Sequence, residues 1–289
     1  MPAKFELIAP CFFGCESTAK FELNRIGAEN IRVDDGRLTF SGGAEMIAAA
    51  NLHLRTVERV MLLLARYKAS TFDELFDGCY NIAWEDLLPA NAAFPVKGSS
   101  LSSQLSSVPA CQSIVKKAIV KRLMHGHKVG TLPEDGALYK VRFALRKDTV
   151  EIYLDTSGDG LHKRGYRKNA TLAPIKETLA AGIADLARVR ENTLLLDPFC
   201  GSGTLLIEGA TKALRIAPGL RRHFSAEHWG LIPAQDWQEE RRESFEQVRR
   251  SAAFRAVGSD IDPAAVALTL ANAQRAGIRQ KVSCRAEDI

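Results

Sequence analysis

The chain lacks any run of about 18 apolar residues, so the sequence predicts no membrane-spanning helix. It opens without the basic-then-apolar pattern of an export signal. Its six cysteines are Cys11, Cys15, Cys79, Cys111, Cys200 and Cys284. None forms a Cys-x-x-Cys pair, and no second Cys/His pair stands at zinc spacing. Reduced thiols, no metal and a cytoplasmic setting are therefore expected. No Gly-Lys-Ser/Thr follows a glycine loop, which excludes a P-loop. Low-complexity segments are also absent.

What remains is an ordinary globular composition. The 289 residues are 46% hydrophobic and 25% charged, enough for a sizeable core. A net charge of +5 is mild, but it is unevenly spread. Between Ala110 and Lys168 stand 13 Lys and Arg against 6 Asp and Glu, a net of +7. That local excess favours a polyanionic partner.

Periodicity divides the chain into three units, residues 1–68, 69–160 and 161–289. The first reads β-α-β-β-α-β, a ferredoxin-like order. Phe5–Ala9 is a strand, and a helix capped near Ser17 follows. Ile31–Val33 and Arg37–Phe40 form a hairpin around Asp34-Asp35-Gly36. Ala44–Leu52 is a helix and Val57–Leu64 an apolar strand. In the second unit Thr71 caps a short helix, and the stretch from Pro89 to Ser107 reads as loop. Ala110–Met124 is an amphipathic helix with Ile114, Ala118, Ile119 and Leu123 on one face. Lys116, Lys117, Lys121 and Arg122 crowd the other. Two alternating strands, 138–145 and 149–154, close the unit. The passage into the third unit is placed near Lys168-Asn169. There strands and helices alternate, which predicts a parallel, doubly wound sheet.

The third unit carries the most informative run, Asp197-Pro198-Phe199-Cys200-Gly201-Ser202-Gly203-Thr204. It follows the apolar strand Thr193–Leu196 and opens a helix. Two glycines one residue apart let a ligand lie against bare backbone at a helix N-terminus. The third glycine of a dinucleotide fingerprint is missing. A carboxylate facing the pocket disfavours a pyrophosphate and suits a cation. S-adenosylmethionine carries both an ammonium and a sulfonium.

Three acids end three successive strands: Asp197, Asp260 and Asp288. In a doubly wound sheet such ends share one crevice. Asp197 suits an ammonium, Asp260 a ribose diol and Asp288 an adenine amino group. Ile261 is placed on the adenine face, and Phe199 and Thr204 belong to the same turn. A single Asp at a strand end is more simply a turn former. Three beside Gly201 and Gly203 make a cofactor site.

The run Leu161-His162-Lys163-Arg164-Gly165-Tyr166-Arg167 reads as a basic linker or as an RNA contact. Tyr166 among cations suits stacking or a phosphate, and Lys163, Arg164 and Arg167 join the basic helix as RNA-binding residues. His125 and His127 read as solvated, and His223 and His228, beside Phe224 and Trp229, as packing residues. Cys200 has no partner base and reads as a small packing residue.

These motifs carry a resemblance. The run Asp197–Thr204 resembles motif I of S-adenosylmethionine-dependent amino-methyltransferases. Trp84-Glu85-Asp86, Phe94-Pro95-Val96-Lys97-Gly98, Cys111–Ala118, and Asp155–Gly158 with Leu161–Arg167 resemble the THUMP-containing RNA methyltransferases. The bacterial 23S rRNA guanine-N2 methyltransferases, often labelled DNA adenine methylases, are the most similar group. The resemblance runs over nearly the whole chain. It implies a ferredoxin-like subdomain, a THUMP RNA-binding domain and a Rossmann-like methyltransferase domain. It also implies an exocyclic base amine as the methyl acceptor.

The chain departs from that pattern in one place. The family's Asn-Pro-Pro-Tyr catalytic loop is not found before Ile289, so no catalytic residue is assigned. A methyltransferase domain incomplete at its C-terminus, with Thr193–Leu196 at an open sheet edge, is the expectation. Two other functions are carried alongside. A non-catalytic RNA-binding module would explain the missing loop but not the intact Gly201, Gly203, Asp260 and Asp288. A DNA adenine-N6 methyltransferase would share motif I but not the basic THUMP-like unit.

Overall fold

The computed structural model describes residues 4–167 and 174–288. The passage at Lys168-Asn169 lies outside the described residues. The first unit comprises β1 (Phe5–Pro10), α1 (Glu16–Arg25), β2 (Glu29–Asp34), β3 (Arg37–Gly42), α2 (Ala44–His53) and β4 (Met61–Lys68). β1 lies antiparallel between β3 and β4, which is the ferredoxin-like order. Two local expectations change. Cys15, not Ser17, holds the N-cap of α1, and it makes no side-chain cap bond. The run Val57–Leu64 is not one strand: Val57 only bridges Cys11, and regular pairing starts at Met61.

The second unit comprises α3 (Phe72–Tyr80), β5 (Val96–Leu101), α4 (Val108–His127), β6 (Val141–Arg146) and β7 (Thr149–Asp155). Thr71 caps α3 in a reciprocal box with Glu74. β5 falls within the stretch expected to be loop. Its Gly-Ser-Ser centre has little strand propensity. Pairing with β6 makes it a strand, and packing requires the glycine: a Cβ on Gly98 would sit 2.4 Å from the Phe143 ring. α4 buries Cys111, Val115, Ala118, Ile119 and Leu123.

The two units share one sheet, in the order β2-β3-β1-β4-β7-β6-β5. β4 and β7 join them antiparallel, from Met61↔Asp155 to Lys68↔Thr149. One hydrophobic core therefore runs from Leu7 and Phe40 to Phe94 and Phe143.

The third unit comprises α5 (Glu177–Leu186), β8 (Leu194–Asp197), α6 (Thr204–Ala213), α7 (Ala234–Glu246), β9 (Arg255–Asp260), α8 (Pro263–Arg275) and β10 (Val282–Ala286). The strands are parallel in the order β10-β9-β8, so each acid lies at a C-terminal end. Among the described residues β8 is an edge strand, with Leu194 and Leu196 exposed. A separate core forms around Leu206, Ile207 and Phe254. Phe224, Trp229 and Trp237 of this unit join the N-terminal core instead. Trp229 stacks on Tyr139 with ring centroids 4.8 Å apart. No helix of the described residues is long and apolar enough to cross a membrane.

Candidate cofactor site and nucleic-acid surface

The parallel register sets Asp197 beside Gly258 and Ala286 beside Asp260. The loop after β8 then crosses the end of β9. Cys200 N–H donates to Ser259 O at 2.9 Å, and Gly201 N–H donates to Asp260 Oδ2 at 2.9 Å. The other oxygen, Oδ1, accepts from Asp262 N–H at 3.0 Å. A carboxylate has about four lone-pair sites, so acceptor capacity remains on both oxygens. Asp197 Oδ1 accepts from Phe199 N–H at 3.2 Å. Burial pushes the Asp197 carboxyl above its usual range, and the charge of Asp260 adds to this. Two carboxylates at adjacent strand ends thus favour an incoming cation.

The two glycines have different jobs. Both have positive φ, 53° at Gly201 and 77° at Gly203. A Cβ on Gly201 would meet nothing within 4 Å, so its face is open to a ligand. A Cβ on Gly203 would lie 2.6 Å from Thr269 Cγ2, so this glycine lets α6 pack against α8. Thr269 Oγ1 also donates to Gly201 O at 2.8 Å, and Asn272 Nδ2 to Ser202 O at 3.0 Å. α8 therefore holds the turn from behind, a support the sequence pattern did not reveal. Cys200 packs there too, with its Sγ 3.2 Å from that of Cys284.

Phe199 and Ile261 flank the turn and are 80% and 73% exposed. They offer apolar walls at the expected adenine position. Asp288 follows β10 and is exposed. Thr204 does not match its expected role. It is buried, and its hydroxyl accepts from Arg167 Nη2 rather than facing the open turn. A cationic methyl donor with a diol and a flat base fits the Gly201 face, the two acids and these walls. Among the described residues no His, Cys, Asp and Glu group could hold a metal.

The basic residues fall into two sets. Lys117 and Lys121 on α4 are exposed. Lys116 is engaged instead, donating to both oxygens of Glu134 at 2.7 and 2.8 Å and to Phe94 O. Arg122 grips Glu85 through Nε and Nη2 at 2.8 and 2.6 Å. Lys163 stays at the surface, 3.2 Å from Asp159.

Apart from Lys163, the cations and the tyrosine of the run from Leu161 to Arg167 turn inward. Arg164 is only 5% exposed, and its guanidinium donates to Leu161 O and Arg55 O beside Glu208. A buried guanidinium with protein acceptors cannot reach a phosphate. Tyr166 is likewise buried, donating to Glu208 Oε1 at 3.0 Å. Arg167 lies against Thr204, Ile175 O and Glu177. Arg164 thus ties the methyltransferase unit to the first unit, while Tyr166 and Arg167 bond within the methyltransferase unit. The sequence reading missed their partners. Arg55 donates to Thr211 O and Ile216 O, and Arg222 donates to the carbonyls of Ser157, Asp159, Gly160 and Lys163. Burial pushes both guanidiniums down to about 10. His223, expected to pack, is exposed and pairs with Glu227 at 3.0 Å.

Three family models match parts of the chain. Residues 6–61 match the model of the RlmL ferredoxin-like domain, residues 69–155 that of the THUMP domain, and residues 164–289 that of the RMKL-like methyltransferase domain. The chain is 44% identical to "Putative RNA methyltransferase YpsC" of Bacillus subtilis, covering 95% of this chain and 72% of that protein. It superposes on a predicted N6-adenine-specific DNA methylase from Listeria monocytogenes with a TM-score of 0.94 and 41% identity, covering 99% of this chain and 75% of that one. The structure of SMU.472, titled a putative methyltransferase complexed with SAH, gives 0.93 and 37%, covering 99% and 76%. Motif I geometry, the THUMP unit and these relatives place the chain in the family of THUMP-containing RNA methyltransferases.

Proposed function

We propose that the protein transfers a methyl group from S-adenosylmethionine to an exocyclic base amine of RNA, the N2 of a guanine in 23S rRNA. The observation that carries this reading is that Asp197 and Asp260 stand at adjacent strand ends beside the open face of Gly201, in a chain that also holds a THUMP domain. The cofactor supplies an activated methyl group on a cationic sulfur. Asp197 stabilises the positive charge of the bound donor, and Asp260 orients its ribose. Phe199 and Ile261 shield the base from water. The SAH bound to SMU.472, at 37% identity, supports the cofactor.

Lys117 and Lys121 on α4 would steer the RNA, with Lys163 as a further exposed cation. The name of the Listeria protein raises DNA adenine as the acceptor. The THUMP match and the name of the Bacillus relative favour RNA. Transfer of tritiated methyl groups by the full-length protein, offered ribosomal RNA and duplex DNA in parallel, tests the choice. Label in RNA alone supports the proposal, and label in DNA alone overturns it.

A further inference from the structure

A cleft of about 660 Å³ opens where the N-terminal unit meets the C-terminal ends of α5 and α6. It lies at the other end of α6 from the glycine turn, about 15 Å away along the helix axis. Its lining includes Arg25 at the end of α1, Arg188 just past α5, Arg190, and Arg215 just past α6. All four are exposed, and among the described residues none has a side-chain hydrogen bond or ion pair. The acids of the same cleft are already engaged. Glu22 accepts from Arg55 N–H and from Thr56. Asp185 holds Lys212 at 2.5 Å, Glu240 holds His53 at 2.7 Å, and Glu243 lies 3.7 Å from Arg242. The arginines therefore stand unneutralised. Phe21, one turn before Arg25, lines the cleft and is exposed.

Two of these arginines also sit at unusual backbone positions. α5, α6 and α8 end in the same cap, in which the N–H of Val189, Ile216 and Ile278 returns to Ala184 O, Thr211 O and Ala273 O. That cap holds the preceding residue at positive φ, where glycine is the unstrained choice. α8 uses Gly277 there, at φ 74°. At the cleft, α5 and α6 use Arg188 and Arg215, at 54° and 55°. α4 carries Lys128 in the same cap at φ 56°, away from the cleft, so the cap alone marks no ligand; Arg188 and Arg215 differ in lining one cleft together with Arg25 and Arg190, and neither guanidinium bonds a carbonyl of its own helix end.

We propose that this cleft binds the phosphodiester backbone of single-stranded RNA, as a contact region remote from the cofactor turn. The inference rests on the reading that the protein acts on RNA. Guanidinium forks match phosphate oxygens, and an exposed aromatic ring among cations suits a stacked base.

The test uses the full-length protein with Arg188→Gly and Arg215→Gly together. Glycine relieves both backbone positions, so the variant keeps its fold, and an unchanged or raised melting temperature checks this. Binding of a fluorescein-labelled oligouridine is followed across salt concentrations. The slope of log affinity against log salt becomes shallower by about 0.7 per lost contact, about 1.4 for the pair. The variant Arg188→Lys, Arg215→Lys retains most of the slope, and SAH affinity stays the same in both. An unchanged slope in the glycine variant, while Lys117→Ala with Lys121→Ala lowers it, overturns the cleft and leaves the RNA reading standing. No oligouridine binding by the unaltered protein overturns both. Loss of inorganic phosphate binding with no change in the RNA slope also overturns the cleft as an RNA site.

Discussion

Asp260 and Gly201, 59 residues apart, are joined by a 2.9 Å hydrogen bond from the Gly201 N–H to Oδ2. The acid that ends β9 thereby holds the turn that follows β8. In the proposed cofactor complex Asp260 would serve the site twice, its remaining lone pairs accepting from the ribose. Asp260→Ala should weaken SAH binding by about 1.5–3 kcal/mol, the range for lost hydrogen bonds to a charged group. Calorimetry reads this directly. Unchanged affinity would remove Asp260 from the site.

Asp197 should make cofactor binding pH-dependent. Its carboxyl is raised by burial and by Asp260. A cationic ligand favours the ionised form, so affinity should rise with pH as Asp197 deprotonates. The raised value also means that ionised Asp197 is a burden on the fold, and protonation at low pH relieves it. Asp197→Asn should therefore keep or raise the melting temperature, flatten the pH dependence and weaken binding. A variant that melts lower and binds normally would contradict this.

Glu58 should tie stability to acid. Burial pushes its carboxyl up, but His162, the Thr178 hydroxyl and Lys176 outweigh this and hold it at about 2. Thr178 donates at 2.5 Å, with Lys176 at 3.5 Å and His162 at 3.7 Å. A lowered carboxyl stabilises the fold above its unfolded value near 4.5, and that contribution is lost as pH falls toward 2. Replacing Glu58 with Gln should remove about 1–3 kcal/mol at neutral pH. The loss should shrink as the two proteins are melted at successively lower pH. A constant difference down to pH 2 would contradict the assignment.

The basic residues should separate by experiment. Lys117→Ala with Lys121→Ala should lower the salt slope of RNA binding by about 0.7 per lost contact and leave the melting temperature alone. Arg164→Ala should cost about 1–3 kcal/mol of stability, because it strips Leu161 O and Arg55 O of a donor and removes one of the two cations, Arg164 and Arg55, beside buried Glu208. The opposite pattern would return Arg164 to the RNA surface.

The glycine turn after β8 is legible in the sequence because its pattern is local. Gly201, the strand before it and the acids Asp197 and Asp260 are all set by short-range pattern. Other features depend on contacts distant in the chain. Val96–Leu101 becomes a strand only by pairing with β6, and Gly98 is legible only once Phe143 lies over it. Arg164 and Tyr166 look like an RNA contact because a buried cation and a solvated one have the same letters. Glu208, which decides the matter, lies 44 and 42 residues further on. Gly203 looks like a ligand glycine, yet Thr269 of α8 explains it.

Methyl transfer to a guanine amine of 23S rRNA would be read most directly in the nucleoside composition of that RNA, measured by mass spectrometry on cells with and without the gene. Loss of N2-methylguanosine in the deletion strain, restored by the intact gene but not by the Asp197→Asn, Asp260→Ala double variant, is the predicted result. An unchanged N2-methylguanosine content, or a loss of N6-methyladenine from DNA instead, would contradict it.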